Sequence, residues 1–194
     1  MIKQYKGFKA EKTSGPREIL PAGGYVAKIV SAKVESYTWG DRLAVAYDVA
    51  EGEYAGFFKR DYDNNPNEDK KWRGVFRLTI PTDSEDQQNK WSRRRFNNFT
   101  ACLEESNPKY HWDWNEEKLR GLMVGILVRD REWEMNGNTG WTTEACDAAC
   151  IEAIRAGKFR TPKAFPLKNK PVAEADYTAA QTAAPVEDDS DLPF

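Results

Sequence analysis

Residues 39–49 read Trp-Gly-Asp-Arg-Leu-Ala-Val-Ala-Tyr-Asp-Val and carry the clearest structural signal in the chain. After the Trp39-Gly40-Asp41 turn, bulky apolar residues alternate with small or acidic ones from Leu43 to Val49. A period of two predicts a β-strand with one buried face. We therefore begin from a sheet that contains this strand and place the neighbouring segments around it.

Two further strands are predicted beside this one. Residues 25–34 form a long strand whose alternation slips near Ser31, which indicates a β-bulge or strong coiling. Residues 57–62 and 72–80 are predicted as a third strand and its continuation, separated by the turn-forming residues 63–69. The first half of the chain thus predicts three strands in succession.

A helix is predicted after the third strand. Ser84 and Gln87 form a capping-box pattern at its start. Apolar residues then recur at helical spacing from Phe96 to Leu103, and Asn107-Pro108 ends the pattern. This helix separates the first three strands from those that follow.

The remaining segments predict two strands and a short helix. Residues 122–128 and 131–133 read as strand, and residues 135–138 predict a hairpin turn into a further strand at 141–143. A short helix over residues 147–156 is expected to end at Gly157. The order matches a five-stranded OB-fold barrel with its helix between strands three and four. Other small barrels with five strands and a helix remain alternatives.

The composition excludes several classes of protein. A chain of 194 residues with 40% hydrophobic residues is long enough to bury a sizeable core. No apolar run reaches the roughly 18 residues that a membrane span needs, and residues 1–12 lack a signal-peptide core. The odd number of cysteines, three, fits a reducing compartment, and a single histidine disfavours a His-based triad. We therefore expect a soluble cytoplasmic protein.

Charge divides the chain into a basic body and an acidic end. Residues 171–194 hold six of the 31 acidic residues and no Lys or Arg, so residues 1–170 carry 25 acids against 29 basic residues, a net charge of +4. Residues 166–194 are rich in Ala, Thr, Pro and acids, and we predict a disordered tail there. The expected organisation is an N-terminal arm at 1–19, a domain at 20–165 and this tail.

Cations and aromatic rings are interleaved along the predicted strands and turns. Single-stranded nucleic acid offers regularly spaced phosphates and unstacked bases, so a groove that binds it needs positive charge and ring faces together. The alternative is that the rings fill the core and the cations are merely solvated. The candidate DNA-binding residues are Tyr37, Trp39, Arg42, Phe58, Lys59, Arg60, Tyr62, Lys70, Lys71, Trp72, Arg73 and Arg77. The consecutive Arg93, Arg94 and Arg95 cannot all face one ligand, because they span most of a helical turn.

Candidate metal sites are weaker. A calcium loop starting at Asp61 is disfavoured, because Pro66 replaces the turn glycine and Trp72 replaces the bidentate glutamate. A metal-dependent nuclease using Asp61, Asp63 and Glu68 has no supporting partner motif. A zinc site requires the three cysteines and the histidine, with two of the cysteines on one helix face. Its ligands are Cys102, His111, Cys146 and Cys150. We expect no metal, no cofactor and no catalysis.

The chain ends with an acidic run followed by Leu192-Pro193-Phe194. A terminal peptide of this kind can place its last ring in a pocket, its carboxylate on a basic lip and its aspartates on surrounding cations. The candidate partner-binding residues are Asp188, Asp189, Asp191, Leu192, Pro193 and Phe194.

This terminal peptide, residues 188–194, closely resembles the end of bacterial and phage single-stranded DNA-binding proteins. The body is similar to single-stranded DNA-binding-type proteins from prophages of Gram-positive bacteria. The matching stretches are residues 20–25, 50–56, 104–108, 112–114 and 154–159. The chain departs from the bacterial housekeeping type in the loop at 63–69 and in residues 108–121.

The resemblance implies an OB-fold and a role in phage DNA replication, recombination and repair in a bacterial host cell. It implies protection of single-stranded DNA with little sequence specificity and recruitment of partner proteins by the tail. A metal-dependent nuclease and a protein-only adaptor are the alternatives. The oligomeric state stays open.

Overall fold

The computed structural model describes residue 6 and residues 18–167. It is a mainly β structure with one five-stranded antiparallel sheet of order β3-β2-β1-β4-β5 and three helices. The elements are β1 Gly23–Tyr37, β2 Gly40–Val49, α1 Phe57–Asp63, β3 Val75–Thr79, α2 Gln87–Ser106, a 3₁₀ helix Glu116–Leu119, β4 Met123–Met135, β5 Asn138–Ala149 and α3 Ile151–Arg155. None of the described helices is long and apolar enough to span a bilayer.

Strand β1 lies at the centre of the sheet. Its residue Ala27 is completely buried and pairs with Val49 of β2 on one side and Val124 of β4 on the other. The predicted slip is confirmed, because the register with β2 shifts between Ile29 and Ser31. A bulge increases local twist, which curves the sheet around the core.

The core confirms the predicted alternation in β2. Leu43, Val45, Tyr47 and Val49 are each at most 2% exposed. Helix α2 covers this core with Phe96, Phe99 and Leu103, as its spacing predicts. The helix ends before Asn107, also as predicted.

The start of α2 differs from the predicted capping box. Asp86, not Ser84, is the N-cap residue, and its carboxylate accepts a hydrogen bond from the Asn89 amide at 2.8 Å. The Ser84 hydroxyl donates to the same carboxylate. Hydrogen bonds from Ser84 and then Asn89 lower the pKa of Asp86, so the cap is charged at neutral pH.

The strand predicted at residues 57–62 is wrong, because these residues form helix α1. Gly56 precedes the helix with a φ of +73°, a conformation that favours glycine. Asp48 of β2 accepts the Phe58 amide at 2.9 Å and thereby satisfies one of the free N–H groups of the first turn. Phe58, Arg60 and Tyr62 therefore do not lie together on one face of a strand.

The second half of the chain forms longer strands than predicted. One strand, β4, replaces the two predicted pieces, and the hairpin turn is confirmed by φ values of +53° at Asn136 and +76° at Gly137. Residues 147–149 belong to β5 rather than to the helix, so α3 begins only at Ile151. Cys146 and Cys150 consequently do not share a helix face.

The two edge strands of the sheet, β3 and β5, approach each other without pairing. Within residues 18–167, no hydrogen-bonded ladder joins them, so the sheet is not closed. Nearly all of the predicted N-terminal arm at 1–19 and of the tail at 166–194 lies outside the described residues.

Candidate functional site

A cavity of about 470 Å³ lies between the edge strands, with helix α2 beside it. Its described lining is dominated by arginines and contains a single carboxylate, that of Glu144. The arginines are Arg42, Arg73, Arg77, Arg95, Arg129 and Arg131. We call this cavity the arginine groove. It lies where β3 and β5 approach each other without pairing, so side chains of both strands line it.

Two of the arginines lie on β3 and just before it. Arg77 is exposed while its neighbours Phe76 and Leu78 are buried, as the alternation predicts. Its Nε lies 3.2 Å from Glu35 of β1, and Arg73 lies 3.2 Å from Asp61 of α1. These ion pairs hold the two guanidinium groups at the rim of the groove.

Two more arginines lie across the groove on β4. Arg129 and Arg131 are two residues apart, so they lie on one face of the strand. Both bind Glu144 of β5, at 2.6 Å and 2.8 Å. One carboxylate shared by two guanidinium groups leaves a net positive charge at this wall.

Arg95 of α2 lies at the back of the groove. Its guanidinium donates to the Cys146 carbonyl of β5 and lies 4.7 Å from the centre of the Trp91 ring, one helical turn away. Burial lowers the pKa of Arg95, but a guanidinium remains charged in proteins. No carboxylate of the described chain forms an ion pair with Arg95 within 4 Å. Its charge is therefore available to an anion.

An aromatic stack contacts Arg42 beside the groove. Tyr37 and Trp39, at the tip of the β1–β2 hairpin, stack with ring centres 5.0 Å apart and planes 12° apart. Their side chains are 44% and 55% exposed. Arg42 lies 4.5 Å from the centre of the Trp39 ring and also lines the groove. The hairpin thus adds ring faces to the cationic surface.

Of the other predicted DNA-binding residues, only Phe58 lines the groove. Phe58 is only 7% exposed and contributes to the floor of the groove as a core residue. A separate cluster brings Lys70 to 4.6 Å from the Tyr62 ring, which is 5.8 Å from the ring of Trp72. The Trp72 indole donates to the Tyr47 carbonyl, and its side chain is half-buried. The predicted cations that do not line the groove are Lys59, Arg60, Lys70 and Lys71.

The candidate metal ligands are not assembled into a site. Asp61 binds Arg73, and Asp63 binds Lys59 at 2.7 Å. The Cys102 and Cys150 sulfur atoms are 3.2 Å apart, and burial raises the pKa of both thiols. Within the described ranges, no group of three or more His, Cys, Asp or Glu side chains is placed to hold a metal ion.

Comparison with known proteins gives a plain result. No protein-family model matches the chain. No curated protein is significantly similar to it.

Trp91, Arg129 and Arg131 were not among the predicted site residues, and Arg95 was considered only as part of the run Arg93–Arg95. Trp91 and Arg95 are four residues apart, which places them on one helix face. Arg129 and Arg131 are two residues apart, which places them on one face of a continuous strand. What the sequence could not supply was the approach of α2 and β4 to β3, which brings these side chains to the same cavity as Arg77.

The arrangement suits a flexible polyanion that carries ring faces. Arginine forks bind phosphate oxygens bidentately, and the indole of Trp91, at the groove, is 50% exposed. Unpaired bases stack on such rings, at about 1–3 kcal/mol per base.

Proposed function

We propose that the protein binds single-stranded DNA in the arginine groove, with little sequence specificity and without catalysis. The observation that carries this proposal is the convergence of six arginines from β2, β3, α2 and β4, with the segment before β3, on one open cavity. Phosphates are uniform along the strand and every base has a ring face, so such a groove has little means to read sequence.

The sheet order supports an OB-fold as the scaffold of this site. The sheet has the order β3-β2-β1-β4-β5, and helix α2 lies between β3 and β4 in the chain. The gap in the sheet lies where the third and fifth strands approach each other. OB-folds are partly open five-stranded barrels that bind oligonucleotides on the face of strands two and three and on the hairpin loops. Arg42, Arg77 and the Tyr37–Trp39 stack occupy those positions here.

A single strand suits the groove better than a duplex. The bases of a duplex are already stacked on one another, so the exposed rings of Trp39 and Trp91 have no unpaired base to receive. A flexible strand can also bend to follow a cavity between two strands and a helix. The preference for single strands follows from the rings, while the phosphate contacts supply affinity to both forms.

The acidic C-terminal peptide completes the proposal. Residues 188–194 lie outside the described residues, and their proposed role is to recruit replication, recombination and repair proteins. The resemblance of this peptide to the ends of single-stranded DNA-binding proteins supports that role. In this proposal the body binds DNA and the tail binds proteins, which distinguishes it from a protein-only adaptor.

The proposal is tested by fluorescence anisotropy with a labelled oligo-dT of about 30 nucleotides, at several salt concentrations, against a duplex of equal length. We expect preferential binding of the single strand. If all six arginines contact phosphates, the slope of log K against log salt approaches about −4, since each contact to a single strand contributes about −0.7. Equal affinity for both forms contradicts the proposal, and magnesium-dependent cleavage of the oligonucleotide supports the nuclease instead.

A further inference from the structure

A second basic cavity, of about 580 Å³, adjoins the arginine groove. The two cavities share Trp91, Arg95, Arg129 and Cys146, so they lie next to each other. The cations that line only the second cavity are Arg94, Arg160 and Lys163, and its described lining includes one carboxylate, Asp147.

The segment that carries Arg160 and Lys163 is held in place at both ends. At one end, Phe159 packs against the apolar cluster of Val26, Ile151 and Ile154. At the other, the Phe165 amide donates to the Asp130 carbonyl of β4 at 2.8 Å, and the Phe165 carbonyl accepts from the Glu132 amide at 3.0 Å.

The two hydrogen bonds of Phe165 occupy a part of β4 that β1 does not pair with. The β1–β4 ladder extends only to Val128, so the edge of β4 beyond it is free to bind another segment. The Phe165 ring also lies 4.4 Å from the Arg129 guanidinium. Residues 160–163 therefore form a fixed wall, and their charges are positioned opposite α2.

The three cations that line only the second cavity are not neutralised by nearby carboxylates of the described residues. Arg94, Arg160 and Lys163 are exposed, and in the described part of the chain none of them forms an ion pair within 4 Å. Three such cations next to Arg95 and Arg129 produce a positive potential that continues from one cavity to the next. A polyanion that leaves the arginine groove past Trp91 meets this potential first.

We propose that the second cavity binds the phosphate backbone of the same strand as it continues out of the arginine groove. This inference rests on the proposed function, since it extends the path of the bound strand. The strand passes Trp91, whose ring lines both cavities, and its next phosphates contact Arg94, Arg160 and Lys163. A strand that fills only the arginine groove makes none of these last contacts.

The test compares oligo-dT of increasing length, over the range of about 4 to 16 nucleotides that single OB-folds accommodate. The variant is the double substitution Arg160→Ala with Lys163→Ala. We expect its affinity for the shortest oligonucleotide that the native protein binds to stay within about twofold of native. Its affinity for the longest is expected to fall about five- to tenfold, and the salt slope to decrease by about 1.4, the value for two lost phosphate contacts.

The matched control is Lys109→Ala with Arg120→Ala. These two residues are also exposed, one Lys and one Arg, and they line neither cavity. The control therefore removes the same net charge, and we expect native affinity at every length apart from a small general effect at low salt.

The outcomes separate this inference from the proposed function. Unchanged affinity for long strands in the Arg160/Lys163 variant overturns the second cavity while leaving the arginine groove intact. An equal loss at all lengths also overturns it, because the residues would then not act on an extension of the strand. If the native protein shows no preference for single strands, the proposed function fails and this inference fails with it.

Discussion

Replacing Arg95 with Gln is expected to lower the affinity for oligo-dT by about 10- to 100-fold. Arg95 lines both cavities and forms no ion pair within 4 Å with a carboxylate of the described residues, so its charge is available to a phosphate. A hydrogen bond to a charged group contributes about 1.5–3 kcal/mol, and 1.4 kcal/mol corresponds to a tenfold change. The loss is measured by anisotropy at fixed salt.

Arg93→Gln is the matched control for Arg95→Gln. Arg93 belongs to the same run of three arginines but lines neither cavity. Its guanidinium instead donates to the Thr82 carbonyl at 2.8 Å and to Glu85 at 3.1 Å. We expect Arg93→Gln to keep near-native affinity, with thermal unfolding of both variants reported alongside. Similar losses in the two variants would mean that the run acts through its net charge and not through the groove.

Replacing Phe58 with Ala is expected to destabilise the protein by about 3–5 kcal/mol, the usual cost of removing a buried Phe ring. The Phe58 ring lies edge-on to Tyr47 at 5.2 Å, and a β-carbon at Gly74 would approach it within 2.5 Å. Thermal unfolding should show a midpoint roughly 6–20 °C lower, because 1 kcal/mol corresponds to about 2–4 °C in a domain of this size.

Trp39→Ala should have the opposite effects from Phe58→Ala: it should change stability little and weaken the binding of oligo-dT. Trp39 is 55% exposed, so its loss should cost less than about 1 kcal/mol of stability. Its ring is placed to stack a base, so the affinity for oligo-dT should fall by about 1–3 kcal/mol. If Phe58→Ala unfolds at the native temperature while binding weakens, Phe58 is a base-stacking residue and its assignment to the core is incorrect.

The strands with clear alternation or a strong turn were predictable from the sequence. The period of two from Leu43 to Val49 reflects a face that really is buried, and Asn136-Gly137 adopts the positive φ values that its residue types tolerate. Such signals are local, so they do not depend on the rest of the fold.

Helix α1 was not predictable in the same way. Residues 57–62 contain two adjacent Phe residues and charged neighbours, which fit a strand as well as a helix. The deciding contact is the hydrogen bond from the Phe58 amide to Asp48, a residue ten positions upstream on β2. A cap supplied by another element is invisible until the tertiary structure places the two together.

About half of the arginines in the candidate site could be predicted from the sequence. Arg42, Arg73 and Arg77 follow from cations beside rings on neighbouring strands. Arg95 and Arg129 reach the same cavity only because α2 packs over the sheet and the β4–β5 hairpin folds toward β3. Local patterns can show which side chains are exposed, but the partners across a groove depend on contacts between segments far apart in the chain.

The most direct test of the arginine groove is photo-crosslinking of an oligonucleotide that carries 5-iodouracil in place of thymine, followed by mass spectrometry of the crosslinked peptides. Six aromatic residues allow the crosslinks to distinguish the groove from other surfaces of the protein. Trp91 lines the groove, and Tyr37 and Trp39 contact Arg42, which lines it. Tyr62, Trp72 and the 71% exposed Trp114 line neither cavity, and none of their rings has a cation–π contact with a groove arginine in the described chain. The account predicts crosslinks at Tyr37, Trp39 or Trp91. Crosslinks confined to Tyr62, Trp72 or Trp114 would contradict it.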